Sequence, residues 1–168
     1  TVFSDMPDME HLEHAVVVYA NRYQFAPGET ITNLPVESRA VVWSPRGAGS
    51  VRAGRRELRV PPETVVLLPW RHDIRYVAER ADPFLVSAVH VVPWYDPAAA
   101  IRPGAAHGGG DALAGIPERA DREWQGLSGV RFVTGGPALR LQHLGEAAIA
   151  EFADGRVPDS SMRALGVL

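Results

Sequence analysis

The sequence contains no cysteine, which excludes disulfides, thiolate metal sites and a cysteine nucleophile. Lysine is missing too: all 17 basic residues are arginine, which with the many Ala, Gly, Val and Pro reflects a GC-rich coding bias. No apolar run approaches the length of a membrane span, and no basic-then-apolar leader is present, so no membrane partner is expected and a reducing cytoplasm is the expected compartment. The catalytic signatures are missing as well. There is no G-x-S-x-G elbow, no phosphate-binding loop and no G-x-G-x-x-G after a strand, and the scattered carboxylates form no convincing acid–base pair. The six histidines lack metal-ligand spacing except for His11 and His14, so neither metal nor cofactor is expected. A net charge of −3 provides no field to hold a polyanion.

What is present is ordinary globular material: 168 residues, 46% apolar and 22% charged, enough for one domain with its own core. The chain begins at Thr1 and stops at Gly166-Val167-Leu168 within an apolar stretch, and is expected to be part of a longer protein. Residues 1–13 are acidic and read as an N-terminal arm. Over 14–97 nearly everything reads as strand: HAVVVYA, RAVVWS, the hairpin SVRAGRRELRV around Gly54, PPETVVLLP, HDIRYVAE and PFLVSAVHVVP. Short strands about every ten residues argue for a sandwich or small barrel. Residues 98–137 are a Gly- and Pro-rich connection with one more strand at GVRFVT. Over 138–168 the period becomes helical, with Leu141, Leu144, Ala148 and Phe152 on one stripe and a second helix capped by Ser160 or Ser161.

The candidate pocket comes from parity. Arg39, Val41 and Trp43 share one face of a strand, and His90, Val92 and Trp94 one face of another; His72 and Tyr76 share a parity between them. Trp stacks, while Arg, His and Tyr supply hydrogen bonds, so Arg39, Trp43, His72, Tyr76, His90 and Trp94 are the expected ligand-binding set. Each Trp has a plainer reading as a core plug, and the cluster Arg52, Arg55, Arg56 and Arg59 reads as a solvated hairpin edge.

The segment RAVVWSPRGAGSVRAGRRELRVPPETVVLLPWRHDIRYVAERADPFLVSAVHVVP resembles the N-terminal sensor and dimerisation domain of AraC-type transcriptional regulators. Arg39 to Trp43, Gly54, Pro62 to Pro69, His72 and Ala88-Val89-His90-Val91 stand where that family has its strands, hairpin and Pro-to-His turn. The sequence departs from it at Glu63-Thr64, where Gly-Asp is usual, and in the short Pro69-to-His72 spacing. The resemblance implies a mainly β, cupin-like (double-stranded β-helix or jelly-roll) barrel with an N-terminal arm and C-terminal α-helices. It further implies a small-molecule effector, a sugar or other small polar metabolite, with the arm folding over a filled site. A homodimer through Leu141, Leu144, Ala148 and Phe152 is expected, with DNA contacted only by a helix-turn-helix part outside this chain. The competing readings are a small cupin enzyme, a metal-dependent isomerase or oxygenase, and a purely structural dimerisation module.

Overall fold

The computed structural model describes residues 13–122 and 127–168. Eleven strands precede two helices: β1 (Val16–Gln24), β2 (Thr30–Val36), β3 (Arg39–Trp43), β4 (Gly49–Ala53), β5 (Arg56–Arg59), β6 (Thr64–Leu68), β7 (His72–Ala78), β8 (Leu85–Val92), β9 (Trp94–Tyr95), β10 (Arg119–Ala120), β11 (Arg131–Thr134), α1 (Gly135–Ala153) and α2 (Asp159–Val167). Two antiparallel sheets face each other, one ordered β1-β8-β3-β6-β11 and the other β2-β7-β4-β5. The first eight strands pass back and forth between the sheets, except for the β4–β5 hairpin within the second, in the jelly-roll order. The fold is a cupin-like β-barrel.

Local chemistry explains most elements. In β7, His72, Ile74, Tyr76 and Ala78 point into the barrel while Asp73 and Arg75 point to solvent, the alternation of a half-buried strand. β6 is instead nearly continuously buried, because β3 and β11 flank it and helix α1 packs on its outer side. The β4–β5 hairpin turns at Gly54 with φ +58, and Arg52, Arg55, Arg56 and Arg59 all lie exposed along it.

Helix α1 follows β11 directly, with Gly135 at φ +68 turning the chain. It crosses the outside of the first sheet, burying Ala138, Gly145, Ala148 and Ile149. Trp43, 1% exposed, is the central contact. A Cβ on Gly145 would lie 2.2 Å from the Trp43 ring, so only glycine lets the helix seat on the indole. Trp43 Nε1 then donates to Glu146 Oε1 at 3.2 Å, and Arg22 pairs with the same carboxylate. Helix α2 docks on β1 through buried Met162 and Gly166, where a Cβ would meet the Ala15 carbonyl.

Three expectations need correction. Strand β2 was not expected, because Asn33 and Pro35 break the apolar pattern of TITNLPV. The Ser cap of the second helix is not made: Pro158 holds that position, with no side-chain cap bond. The Gly- and Pro-rich connection is an ordered loop laid against the barrel, with Ile101, Ala105 and Ala106 buried. Arg119 donates to the carbonyls of Gly104 and Arg102 and stacks over Tyr95, tying that loop down. The N-terminal arm, apart from Glu13, lies outside the described residues. Among the described residues no helix is long and apolar enough to cross a membrane.

Candidate functional site: a histidine-ended barrel lumen

The interior of the barrel is filled at one end and open at the other. At the filled end Phe25, Phe84 and Tyr76 meet ring to ring, with centroids 4.9 Å (Phe25–Phe84) and 5.8 Å (Phe25–Tyr76) apart. Gly49 has no room for a Cβ beside the Phe84 ring, so the plug closes tightly on the strand backbone. Above it lies a cavity of about 260 Å³, at the small end of the roughly 300–1,000 Å³ range of ligand pockets.

Its lower wall is apolar: Ile31 from β2, Ile74 from β7, and Val86 and Ala88 from β8. Its polar lining is Asn21 from β1 and Asn33 from β2, level with Ala88 and Ile74 in the strand register, and above them His72 from β7 and His90 from β8, with His107 reaching in from the long loop. Tyr19 (38% exposed) stands with His107 at the histidine end, whereas Tyr23 (44%) packs on Phe25 at the other. The three imidazoles form a chain. His72 and His90 stack with centroids 6.5 Å apart, and His107 meets His90 edge-on at 6.5 Å.

Each buried imidazole is oriented by one ring nitrogen. His72 Nδ1 donates to the Pro69 carbonyl at 2.7 Å, and His90 Nδ1 bonds the buried Ser38 hydroxyl at 2.9 Å. Burial pulls the His90 pKa down to about 3, with His72 and His107 pushing the same way. Burial also lowers His72, partly offset by the Pro69 and Ser38 carbonyls. The Tyr76 hydroxyl is raised by burial and stays protonated. Both buried rings are thus neutral at physiological pH, and among the described residues no Asp, Glu or Arg lines the cavity. Among the described residues no three His, Asp or Glu side chains are grouped to hold a metal ion.

Of the residues expected from parity, the structure brings His72, Tyr76 and His90 together and puts the others elsewhere. Arg39 and Trp43 do share a face of β3, but it is the outer one; Ala40 and Val42 look into the barrel. Arg39 pairs with Asp121 at 2.8 Å and donates to the Leu127 carbonyl, stapling the loop that leads to β11. Trp94 is separated from His90 by Pro93, belongs to the small β9–β10 ribbon and lies under the Arg122 guanidinium. The expected ring is therefore not formed, because parity groups residues on a face without saying which face is inside.

Sequence reasoning missed Tyr19, Asn21, Asn33 and His107. The alternation Tyr19, Asn21, Tyr23 was available in β1, where a bulge between Val17 and Tyr19 resets the register. His107 had no local signal, since its approach depends on the isolated bridge between His107 and Val36.

The helical stripe is likewise mostly spent on its own barrel. Leu141, Ala148 and Phe152 pack on the outer face of the first sheet, and Leu144, 40% exposed, is the member that looks outward.

No protein-family profile and no curated protein matches the sequence. Among solved structures, unsaturated-fatty-acid-bound ToxT from Vibrio cholerae is similar at 14% identity and TM-score 0.39, over 44% of this chain and 28% of that one. Vicilin from Capsicum annuum is similar at 16% identity and TM-score 0.43, over 59% and 26% of the two chains. The 7S globulin of Momordica charantia is similar at 14% identity and TM-score 0.38, over 98% and 40%. This chain thus spans well under half the length of each.

Proposed function

We propose that this chain is the effector-binding and dimerisation part of an AraC-type transcriptional regulator. The observation that carries the reading is the half-empty lumen, apolar below and histidine-lined above, in a barrel that is otherwise packed. A pocket with an apolar body and a few converging polar groups is the usual form of a small-molecule site. The resemblance to AraC-type sensor domains described above supports the same assignment, and the fatty acid held by ToxT fits a small-molecule role for such a barrel.

Tyr19 gives the site a route to the helices. Its ring lies 6.0 Å from His90 on one side and 6.3 Å, edge-on, from Phe152 of α1 on the other. A ligand that displaces Tyr19 therefore changes the seat of α1. Such a ligand shifts the helical arrangement only by its differential affinity for the two states. Leu139, Leu144, Val167 and Leu168 are the large apolar side chains that the helices leave exposed, and they are the dimer contact in this reading. DNA contact belongs to a separate domain of such a regulator. A cupin enzyme would need an acid–base pair or a metal, and the lumen's histidines have no carboxylate beside them within the cavity wall.

Thermal-shift screening of the chain against small organic acids, alcohols, sugars and amides tests the assignment, with Ala88→Leu as the filled-lumen control. Hits are expected to raise the melting temperature of the native chain, by about 2.7 kcal/mol of stability at a hundredfold excess over Kd, and to vanish in Ala88→Leu. Light scattering on the same sample is expected to give a dimer. No hit at all, or hits unaffected by Ala88→Leu, defeats the reading.

A further inference from the structure

The polar end of the lumen holds three imidazoles with no Asp, Glu or Arg among the described residues that line the cavity, and the apolar end offers a hydroxylated ligand little polar contact beyond Tyr76 and Tyr23. We propose that the lumen takes a small monocarboxylic acid with an apolar tail, seats its carboxylate against His72, His90 and His107, and takes up a proton with it. The inference rests on the lumen being a ligand site and specifies what that ligand is.

The geometry favours an acid over a sugar. Ile31, Ile74, Val86 and Ala88 form the lower wall with the Phe25 ring, where Tyr76 and Tyr23 are the polar side chains, and most hydroxyls of a sugar buried there lose their hydrogen bonds to water without replacement. A hydrocarbon tail fits that wall. The upper wall offers Asn21 and Asn33 amides and the imidazoles. A carboxylate there is left with a buried charge unless a cation is made beside it, since no Arg lines the cavity.

The histidines are built to supply that cation. Every group facing them can be named. His72 is flanked by the Pro69 and Ser38 carbonyls and by Asp73, all of which favour its protonated form, while burial and His107 oppose it. His90 faces His72, His107, the Tyr19 ring and the Ser38 hydroxyl. That hydroxyl rotates to donate to a neutral ring or accept from a charged one, so it fits either state. Asp111 accepts the backbone N–H of His107 and stands near it, on the solvent side. An anion arriving within about 4–6 Å of these rings favours the charged form. Empty, the buried His72 and His90 rings are neutral; filled, the site holds an ion pair made from a proton drawn from solvent.

Calorimetric titration of the chain with benzoate and hexanoate, and with benzamide and hexanamide as neutral isosteres, decides the matter. Each is run between about pH 6 and pH 8, the range in which histidine titrates, in two buffers of different ionisation enthalpy. The acids are expected to bind with close to one proton taken up per ligand, and to weaken by up to about tenfold per pH unit. The amides are expected to bind at least about tenfold more weakly. His72→Asn and His90→Asn are expected to abolish the proton uptake, with a cooperative urea transition reporting that each variant is folded; should a variant not fold, the buffer comparison on the native chain still decides. Amides binding as tightly as acids, or acids binding without proton uptake, overturns the inference and leaves the lumen a ligand site. Failure of all four probes in a lumen that binds other small molecules overturns it likewise; a lumen that binds nothing removes both readings.

Discussion

The two faces of the first sheet carry the same kinds of residue and do opposite things with them. On the outer face Trp43 and Val65 pack under α1, with Gly145 leaving room for the indole, while Val41 and Val89 line an apolar groove of about 270 Å³ between the sheet and the two helices. On the inner face of the same strands Ala40, Val42, Ala88 and His90 look into a barrel that is filled on one side and hollow on the other. The outer face is specified by shape, the inner one by chemistry. The small side chain of Ala88 leaves room inside that stays empty, whereas outside the missing side chain of Gly145 leaves room that the Trp43 ring fills. A tightly packed contact such as Trp43 on Gly145 tolerates little change, and a hollow one tolerates much.

The largest effect is expected at Trp43. Replacing it with Ala removes the side chain that α1 is seated on and is expected to lower unfolding free energy by about 3–5 kcal/mol. Urea denaturation measures this, and a loss under about 1 kcal/mol shows that the helix is held elsewhere. A pair of added methyl groups sharpens the contrast. Gly145→Ala is expected to cost about 1–3 kcal/mol by overpacking, because its Cβ meets the Trp43 ring at 2.2 Å. Ala88→Val, which grows into the cavity, is expected to stay within about 0.5 kcal/mol. Equal costs at the two sites erase the distinction between the faces.

A pH slope belongs to the inner face alone. Burial holds His90 neutral down to about pH 3, while the unfolded chain takes up its proton near 6.5. Below pH 6.5 the unfolded state binds more protons, so stability is lost as pH falls and is unaffected above. The slope is up to about 1.4 kcal/mol per pH unit for this residue. Denaturation curves of the native chain and His90→Asn, compared between about pH 7 and pH 5, are expected to converge toward acid. Parallel curves contradict a neutral buried His90.

Much of the barrel was legible in the sequence because strand signals are local. The runs at β1, β3, β6, β7 and β8, and the Gly54 turn, each follow from side-chain alternation or a positive φ in a few consecutive residues. β2 was not legible, because Asn33 faces the lumen as part of the site and so interrupts the apolar pattern that marks a strand. The departure at Glu63 has a visible counterpart: its φ of +69 is the left-handed backbone that glycine adopts without strain. The site was legible by half. His72 and Tyr76 were paired by spacing on one strand, and the structure lines one cavity with them and His90, but Trp43 and Arg39 were drawn in by the same parity argument and lie outside the barrel.

The sequence by itself determined which residues travel together: alternation binds His72 to Tyr76, and Arg39 to Trp43, whatever the fold does with them. It also determined the helix stripe of Leu141, Ala148 and Phe152. Which face of β3 turns inward was decided only when α1 closed over Trp43, because a strand's two faces are equivalent until something covers one. The approach of His107 to His90 was likewise decided only by the long loop docking on β2, a contact between residues far apart in the chain. Local periodicity is set by covalent geometry, whereas the inside of a barrel exists only after distant strands have met.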